Sequence, residues 1–319
     1  MAKSRILLVG ATGEIGKFMV PASVKLGHPT FVLVRPGSAS DPAKKALLDE
    51  FESLGAVILH GDLGDHASLV AALKQVDVVI STVGGAVLLD GQLKLIEAIK
   101  EVGHIKRFLP SEFGSGIENQ PLSDENSILN PVIAPKKAIQ KVLKETGIPH
   151  TLICSGGFAR WVWAPLAQLD IILSGNVQPP REKITIWGDG EGLIATTAEV
   201  DIGTLTVMAA DDPRTLNKRL VIHHKPNLLT LNSLVELWEK KIGHSLHKTY
   251  IPEAEVQKLM QGWNPNSFND IMQAIMWEVA AGRSVFELNP SSDVGVDELY
   301  PDYKYVTVDE YLDNFVEKK

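Results

Sequence analysis

Apolar residues in the first half of the chain come in short unbroken runs. They are RILLVG (5–10), TFVLVR (30–35), AVILH (56–60), DVVIST (77–82), KRFLP (106–110) and HTLIC (150–154). Between them stand amphipathic stretches: KFMVPASVKLG, PAKKALLDEFESLG, HASLVAALKQ and QLKLIEAIKEVG. Their apolar positions follow a helical period, and some close on a glycine, where helices commonly end. Strands that are apolar throughout need cover on both faces. Alternating with helices, they predict a doubly wound parallel α/β sheet with right-handed crossovers.

From about residue 156 the rhythm changes. PPREKITIWGDGEG reads as a strand and a turn, RLVIHH (219–224) as another strand, and helical stretches follow near 231–242, 253–262 and 267–281. The repeating strand–helix unit is gone, and most of the tryptophans lie here. This pattern predicts a sheet domain over 1–155 and a smaller mixed α+β substrate domain over 156–319, the boundary being approximate and open to interleaving. No internal repeat or low-complexity segment interrupts the chain.

Composition narrows the classes. The 319 residues are 45% hydrophobic, enough for a full core in one or two domains. Lys and Arg number 31 against 39 Asp and Glu, a net charge of −8, which argues against nucleic acid as a partner. The single cysteine, Cys154, forms no internal disulfide and builds no multi-cysteine zinc site. The nine histidines show no HExxH, so no metal is expected. No apolar stretch approaches the roughly 20 residues of a membrane span, and the first strand begins within a few residues of the start. The expectation is a cytoplasmic protein without a membrane partner.

The chemistry begins at Gly10-Ala11-Thr12-Gly13-Glu14-Ile15-Gly16, a GxxGxxG turn between a strand and a helix. Glycines there permit a tight turn and close approach of a pyrophosphate, which the helix N-terminus stabilises with free N–H groups and its positive end. No GxxxxGK[ST] is present, so the turn is not that of a P-loop NTPase. Sheets that bind NAD usually place Asp or Glu at the end of the second strand, on the ribose 2′-hydroxyl. Here that strand ends in Arg35, whose planar fork suits a 2′-phosphate. Lys44 adds a second cation or is a solvated helix residue. The cofactor indicated is NADPH.

Short-chain reductases commonly use Tyr-x-x-x-Lys. Val132 and Ile133 stand four residues before Lys136 and Lys137, so the tyrosine acid is missing. Nearly the whole chain nevertheless resembles the plant isoflavone-reductase-like group of atypical, NmrA-like short-chain reductases. The segments that carry the resemblance are GATGEIGK, FVLVRP, LKLIEAIKEVGHIKRFLPSEFG, GIPHTLICSGGFA, DDPRTLNKRLVI, LVELWEKKIG and LYPDYKYVTVDEYLDNFV. The last of these look most like the phenylcoumaran benzylic ether reductases.

The resemblance implies an NADPH-dependent reductase of phenylpropanoid or lignan-type phenols. It opens a benzylic ether through a quinone-methide-like intermediate and delivers hydride to the benzylic carbon. The family's acid–base lysine precedes the glycine of GIP by eleven residues, which implies Lys136, the base toward a para-phenol, with Lys137 as a solvated neighbour. It also implies that Gly10–Gly16 hold the pyrophosphate, and Arg35 and Lys44 the 2′-phosphate. Ser81, Thr82 and Val83 would line the dinucleotide, and Ser111, Glu112 and Phe113 the nicotinamide. Phe113 reads equally well as a packing residue.

The chain departs from the family pattern in several places. Gln140 stands where an arginine usually helps hold the cofactor, Gly156 replaces a frequent Asn, and Ser115 follows SEFG where leucoanthocyanidin reductases have histidine. The stretch 115–135 fits poorly. Trp161, Trp163 and Trp187 are candidates to stack on a phenol, with packing as the competing reading. His150 reads as structural, and Asp201 as a helix cap. A non-catalytic NmrA-like NADP(H) sensor is the alternative of a different class, and the pinoresinol–lariciresinol, isoflavone and leucoanthocyanidin reductases are alternatives within the family. Assembly is open between a monomer and a homodimer.

Overall fold

The computed structural model describes residues 2–114, 116, 127–175 and 177–316. The six apolar runs form β1 (Ile6–Val9), β2 (Thr30–Val34), β3 (Val57–His60), β4 (Val78–Ser81), β5 (Arg107–Leu109) and β6 (Thr151–Cys154). The helices between them are α1 (Gly16–Lys25), α2 (Pro42–Ser53), α3 (His66–Leu73), α4 (Leu88–Val102) and α5 (Asn130–Thr146). The first five strands lie in the order β3-β2-β1-β4-β5, all parallel.

Burial explains the unbroken strands. In β1, Ile6 and Leu8 belong to one core and Leu7 and Val9 to another, on opposite faces of the sheet. The first core takes Met19 and Val20 of α1 with Leu48 and Phe51 of α2. The second takes Leu69 and Leu73 of α3, Leu95 and Ile99 of α4, and Ile139 and Leu143 of α5. A strand with one wet face would alternate apolar and polar residues; β1 has no wet face.

Beyond β5 the sheet continues with strands from far along the chain. Phe108 and His150 form a parallel bridge, and β6 then pairs in parallel with the strand Lys218–Val221, which pairs in turn with Asp293–Gly295. Buried Arg107 braces this seam: its Nη1 lies 3.0 Å from Thr151 Oγ1 and 2.8 Å from Thr215 Oγ1. His150 is structural as expected, with Nδ1 2.8 Å from the Ile148 carbonyl. Residues beyond 155 also supply the helix Glu199–Asp211, whose Ile202 and Leu205 join the first core. The sequence reading did not include this helix, which is apolar nearly all round and shows no amphipathic stripe.

The remaining elements surround a third core built on Trp163, Ile184, Ile186, Val235 and Trp238. There the strand Lys183–Trp187 pairs in parallel with His247–Ile251. The predicted helices appear as Leu231–Ile242, Glu253–Met260 and Phe268–Ala280. Among the described residues no helix is long and apolar enough to cross a membrane.

Candidate active site

β1 and β4 lie side by side, but the chain leaves them for opposite edges of the sheet: β1 leads to β2, β4 to β5. Their crossovers diverge and open a crevice outside the carboxyl ends, where open α/β sheets bind ligands. A cavity of about 470 Å³ occupies this position. Gly10, Ala11, Thr12 and Gly13 line it after β1, Arg35 after β2, Lys44 from α2, and Thr82 and Val83 after β4.

The glycine turn is shaped by close approach. Gly10 has φ +86°, and a Cβ on it would stand 2.8 Å from Thr82 Oγ1. At Gly16 a Cβ would stand 2.4 Å from the Gly10 carbonyl oxygen and 2.8 Å from Ala11 Cα. These two glycines let helix, turn and strand pack together. Gly13 differs: its N–H donates to the Gly10 carbonyl at 2.9 Å, and it faces the cavity. No side chain caps the first turn of α1; the Lys17 and Phe18 N–H groups donate to the Gly13 and Ile15 carbonyls at 3.3 and 3.2 Å.

Arg35 is exposed; its main-chain carbonyl accepts from Ser38 N–H at 3.0 Å, and its guanidinium makes no hydrogen bond or ion pair among the described residues. Lys44 lies in the first turn of α2, 3.9 Å from the Asp41 carboxylate that caps the helix. Ser38 completes this end of the cavity. The sequence reading omitted the loop after β3, Gly61-Asp62-Leu63-Gly64, and Asp90 and Lys94 of α4, all of which face the same space. The loop was recoverable, since the carboxyl end of any strand beside a switch point faces the crevice.

At the neighbouring strand ends, the turn Ser111–Gly114 is held from several sides. The Ser111 N–H donates to Gln92 Oε1 at 2.6 Å, and the Gly114 carbonyl accepts from Gly156 N–H at 2.9 Å. Lys136, on α5, is 9% exposed, and its Nζ donates to the Glu112 carbonyl at 2.9 Å. Lys137, the next residue, is exposed. Gln140, one turn on, donates to Glu112 Oε2 at 3.0 Å. Glu112 is 3% exposed. Lys136 and Gln140 thus grip one residue at two points.

Other predicted residues fall elsewhere. The Glu14 carboxylate pairs with Arg160 at 2.6 Å and lies outside the lining of the cavity. Ile15 and Gly16 are packed in the interior, and Ser81 is fully buried within the sheet. Phe113 packs against the first core. Trp163 is 1% exposed and donates to Thr196 Oγ1, so its ring belongs to the core and offers no face to a ligand. Trp161 lies against Phe158 and Trp187 against Trp263, with centroids 5.0 and 6.2 Å apart. Asp201 is not a cap. The helix begins after Ala198, without a side-chain cap, and Asp201 is buried inside its first turn. Ser115 and most of the poorly fitting stretch, 117–126, lie outside the described residues.

His223 was not singled out from the sequence. It follows the strand Lys218–Val221 at the carboxyl edge, with its ring edge-on to Phe286 at 5.1 Å. Burial, reinforced by the Arg219 charge, holds its imidazole down at about 4, against a main-chain hydrogen bond with Ser284. It is neutral at physiological pH.

A profile of the NmrA-like family matches residues 2–312. The chain belongs to that family. Among its NmrA-like relatives, the phenylcoumaran benzylic ether reductase Betv6 of Betula pendula is 48% identical over 98% of this chain and 99% of its own. Eugenol synthase 2 of Clarkia breweri is 46% identical over 99% of both chains. The crystal structure of an isoflavone reductase superposes with a TM-score of 0.90 at 42% identity, covering 98% of this chain and 100% of that one. The structure of AtPrR2 with NADP+ and (+)pinoresinol gives 0.88 at 36% identity, covering 98% and 99%.

Proposed function

We propose that this NmrA-like protein is an NADPH-dependent reductase that opens a benzylic ether in a phenylpropanoid or lignan-type phenol. The residues fit the cofactor. The cradle after β1 has no room for side chains at Gly10 and Gly16, and Arg35 reaches the far end of the cavity with its guanidinium unpaired among the described residues. When bound, NADPH supplies the hydride. Gly10–Gly13 and the first turn of α1 take the pyrophosphate, and Arg35 and Lys44 take the 2′-phosphate.

Lys136 carries the reading. It is a buried amine on the inward face of α5, with Nζ donating to a main-chain carbonyl at the carboxyl edge of the sheet. In this role Nζ accepts the proton of a para-phenol while the Glu112 carbonyl fixes its direction. Electron density from the phenolate then expels the benzylic oxygen, leaving an electrophilic carbon for the hydride. A sensor that only bound NADP(H) would have no use for a buried lysine there.

The test compares Lys136→Ala with Lys137→Ala on a benzylic ether carrying a para-phenol. Lys136→Ala is expected to keep NADPH binding and lose about 10²–10⁴-fold in turnover, the usual contribution of a general acid–base group. Lys137→Ala should cost little. A steeper loss at Lys137 would move the assignment by one residue, and no NADPH oxidation by the wild type on any phenolic ether would favour the sensor. Eugenol formation is a second reading within the family, resting on the similarity to the Clarkia breweri enzyme. Product analysis separates the two.

A further inference from the structure

Gln140 stands where the family resemblance leads one to expect a cofactor-holding arginine. In this structure it does not line the cofactor cavity. Its amide turns to Glu112, whose carboxylate oxygen Oε2 accepts from Nε2 at 3.0 Å. Glu112 is also the residue whose main-chain carbonyl receives Lys136 Nζ at 2.9 Å. Lys136 and Gln140 are four residues apart on one helix and so share a face. α5 therefore grips the turn after β5 at two points of a single residue, one of them the contact that aims the lysine.

We infer that Gln140 is a positioning residue: by donating to the Glu112 side chain it fixes the main-chain carbonyl that orients Lys136. This rests on the reading of Lys136 as the acid–base group. A carboxylate with 3% exposure needs donors wherever it sits. If the Gln140 donor is removed, α5 loses one of its two holds on this residue, and the turn that carries the carbonyl is fixed less firmly. A misplacement of about 1 Å at a catalytic group is enough to cost rate while binding elsewhere is untouched. A neutral amide does this work without adding a charge beside the lysine, whereas a guanidinium would.

The roles of donation and packing make opposite predictions for two variants. Gln140→Glu keeps the shape and removes the N–H; Gln140→Arg changes the shape and keeps N–H donors. If donation matters, Gln140→Glu loses about tenfold or more in kcat, with the NADPH dissociation constant within about twofold of wild type. That is the scale of leaving one buried acceptor unsatisfied. Gln140→Arg then retains most of kcat. Gln140→Met, of similar length and without a donor, should follow Gln140→Glu, and thermal melting of all three reports whether they are folded.

The inference is overturned if Gln140→Glu and Gln140→Met turn over normally, if Gln140→Arg is the damaging change, or if NADPH affinity falls as far as kcat. Lys136→Ala is measured alongside. If it abolishes turnover while the Gln140 variants are silent, only the inference about Gln140 fails. If it leaves turnover intact, the reading of Lys136 fails and takes the inference with it.

Discussion

The carboxylate of Asp201 accepts from the Tyr303 hydroxyl at 2.8 Å and from the Val306 N–H at 2.9 Å, joining residues about a hundred positions apart. Asp201 is 2% exposed, and burial pushes its carboxyl up against the lowering effect of these two bonds. The contact fastens the closing segment of the chain to the helix Glu199–Asp211, which itself packs into the first core. Tyr303→Phe leaves one oxygen of a buried carboxylate without its donor. A loss of about 1–3 kcal/mol in unfolding free energy is expected by denaturant titration, with NADPH affinity unchanged. Unaltered stability would show that the segment is held by its apolar contacts alone.

Arg35 follows β2 and lines the cavity proposed for the cofactor, with its guanidinium unpaired among the described residues. Arg35→Ala should weaken NADPH binding selectively and leave NADH nearly unchanged, as measured by fluorescence titration with both cofactors. Equal loss of the two would assign Arg35 a structural role.

Gly13 and Gly16 should fail in different ways. A Cβ at Gly13 meets only the Gly10 carbonyl, at 3.1 Å, and Gly13 lines the cavity proposed for the cofactor, so Gly13→Val should remain folded and lose cofactor binding. A Cβ at Gly16 would stand 2.4 Å from that same oxygen and forces the backbone apart, so Gly16→Ala should lower the melting temperature as well. A folded Gly13→Val that binds NADPH normally would dissociate the turn from the cofactor.

Asp77 ties three strand entries together at the opposite edge of the sheet. Its carboxylate accepts from Arg5 N–H at 2.9 Å and Arg5 Nε at 3.2 Å, and pairs with Lys106 at 3.3 Å. Burial alone would raise its pKa, but the Arg5 and Lys106 contacts prevail and hold it at about 2. Because the folded value lies below the unfolded one, the stabilisation is complete above the unfolded carboxylate range and fades as pH falls toward 2. The difference in melting temperature between wild type and Asp77→Asn should be greatest above about pH 5 and shrink steadily with acidification. A difference independent of pH would place the cost in packing.

The sequence by itself determined the elements and their order. Its six apolar runs became six parallel strands: an inner strand such as β1, buried on both faces, has no polar position to mark, edge strand β3 is partly exposed, and a helix between strands has a stripe. It also determined the glycine turn, since Gly10, Gly13 and Gly16 answer to backbone geometry within a seven-residue window, and it placed Arg35 at a strand end. Tertiary structure decided what depends on partners remote along the chain. The strand Lys218–Val221 joins β6, and Asp293–Gly295 joins that strand, across more than sixty intervening residues each time. Glu14 turns from the cavity to Arg160, Trp163 is sealed in the third core, and Asp201 fastens a distant tyrosine. Periodicity records which face of an element is buried, but a polar side chain's partner is chosen by whichever donor or acceptor the fold brings within about 3 Å. Gln140 was legible as a departure from a pattern; only the fold shows that its amide reaches Glu112, and through Glu112 the carbonyl that holds Lys136.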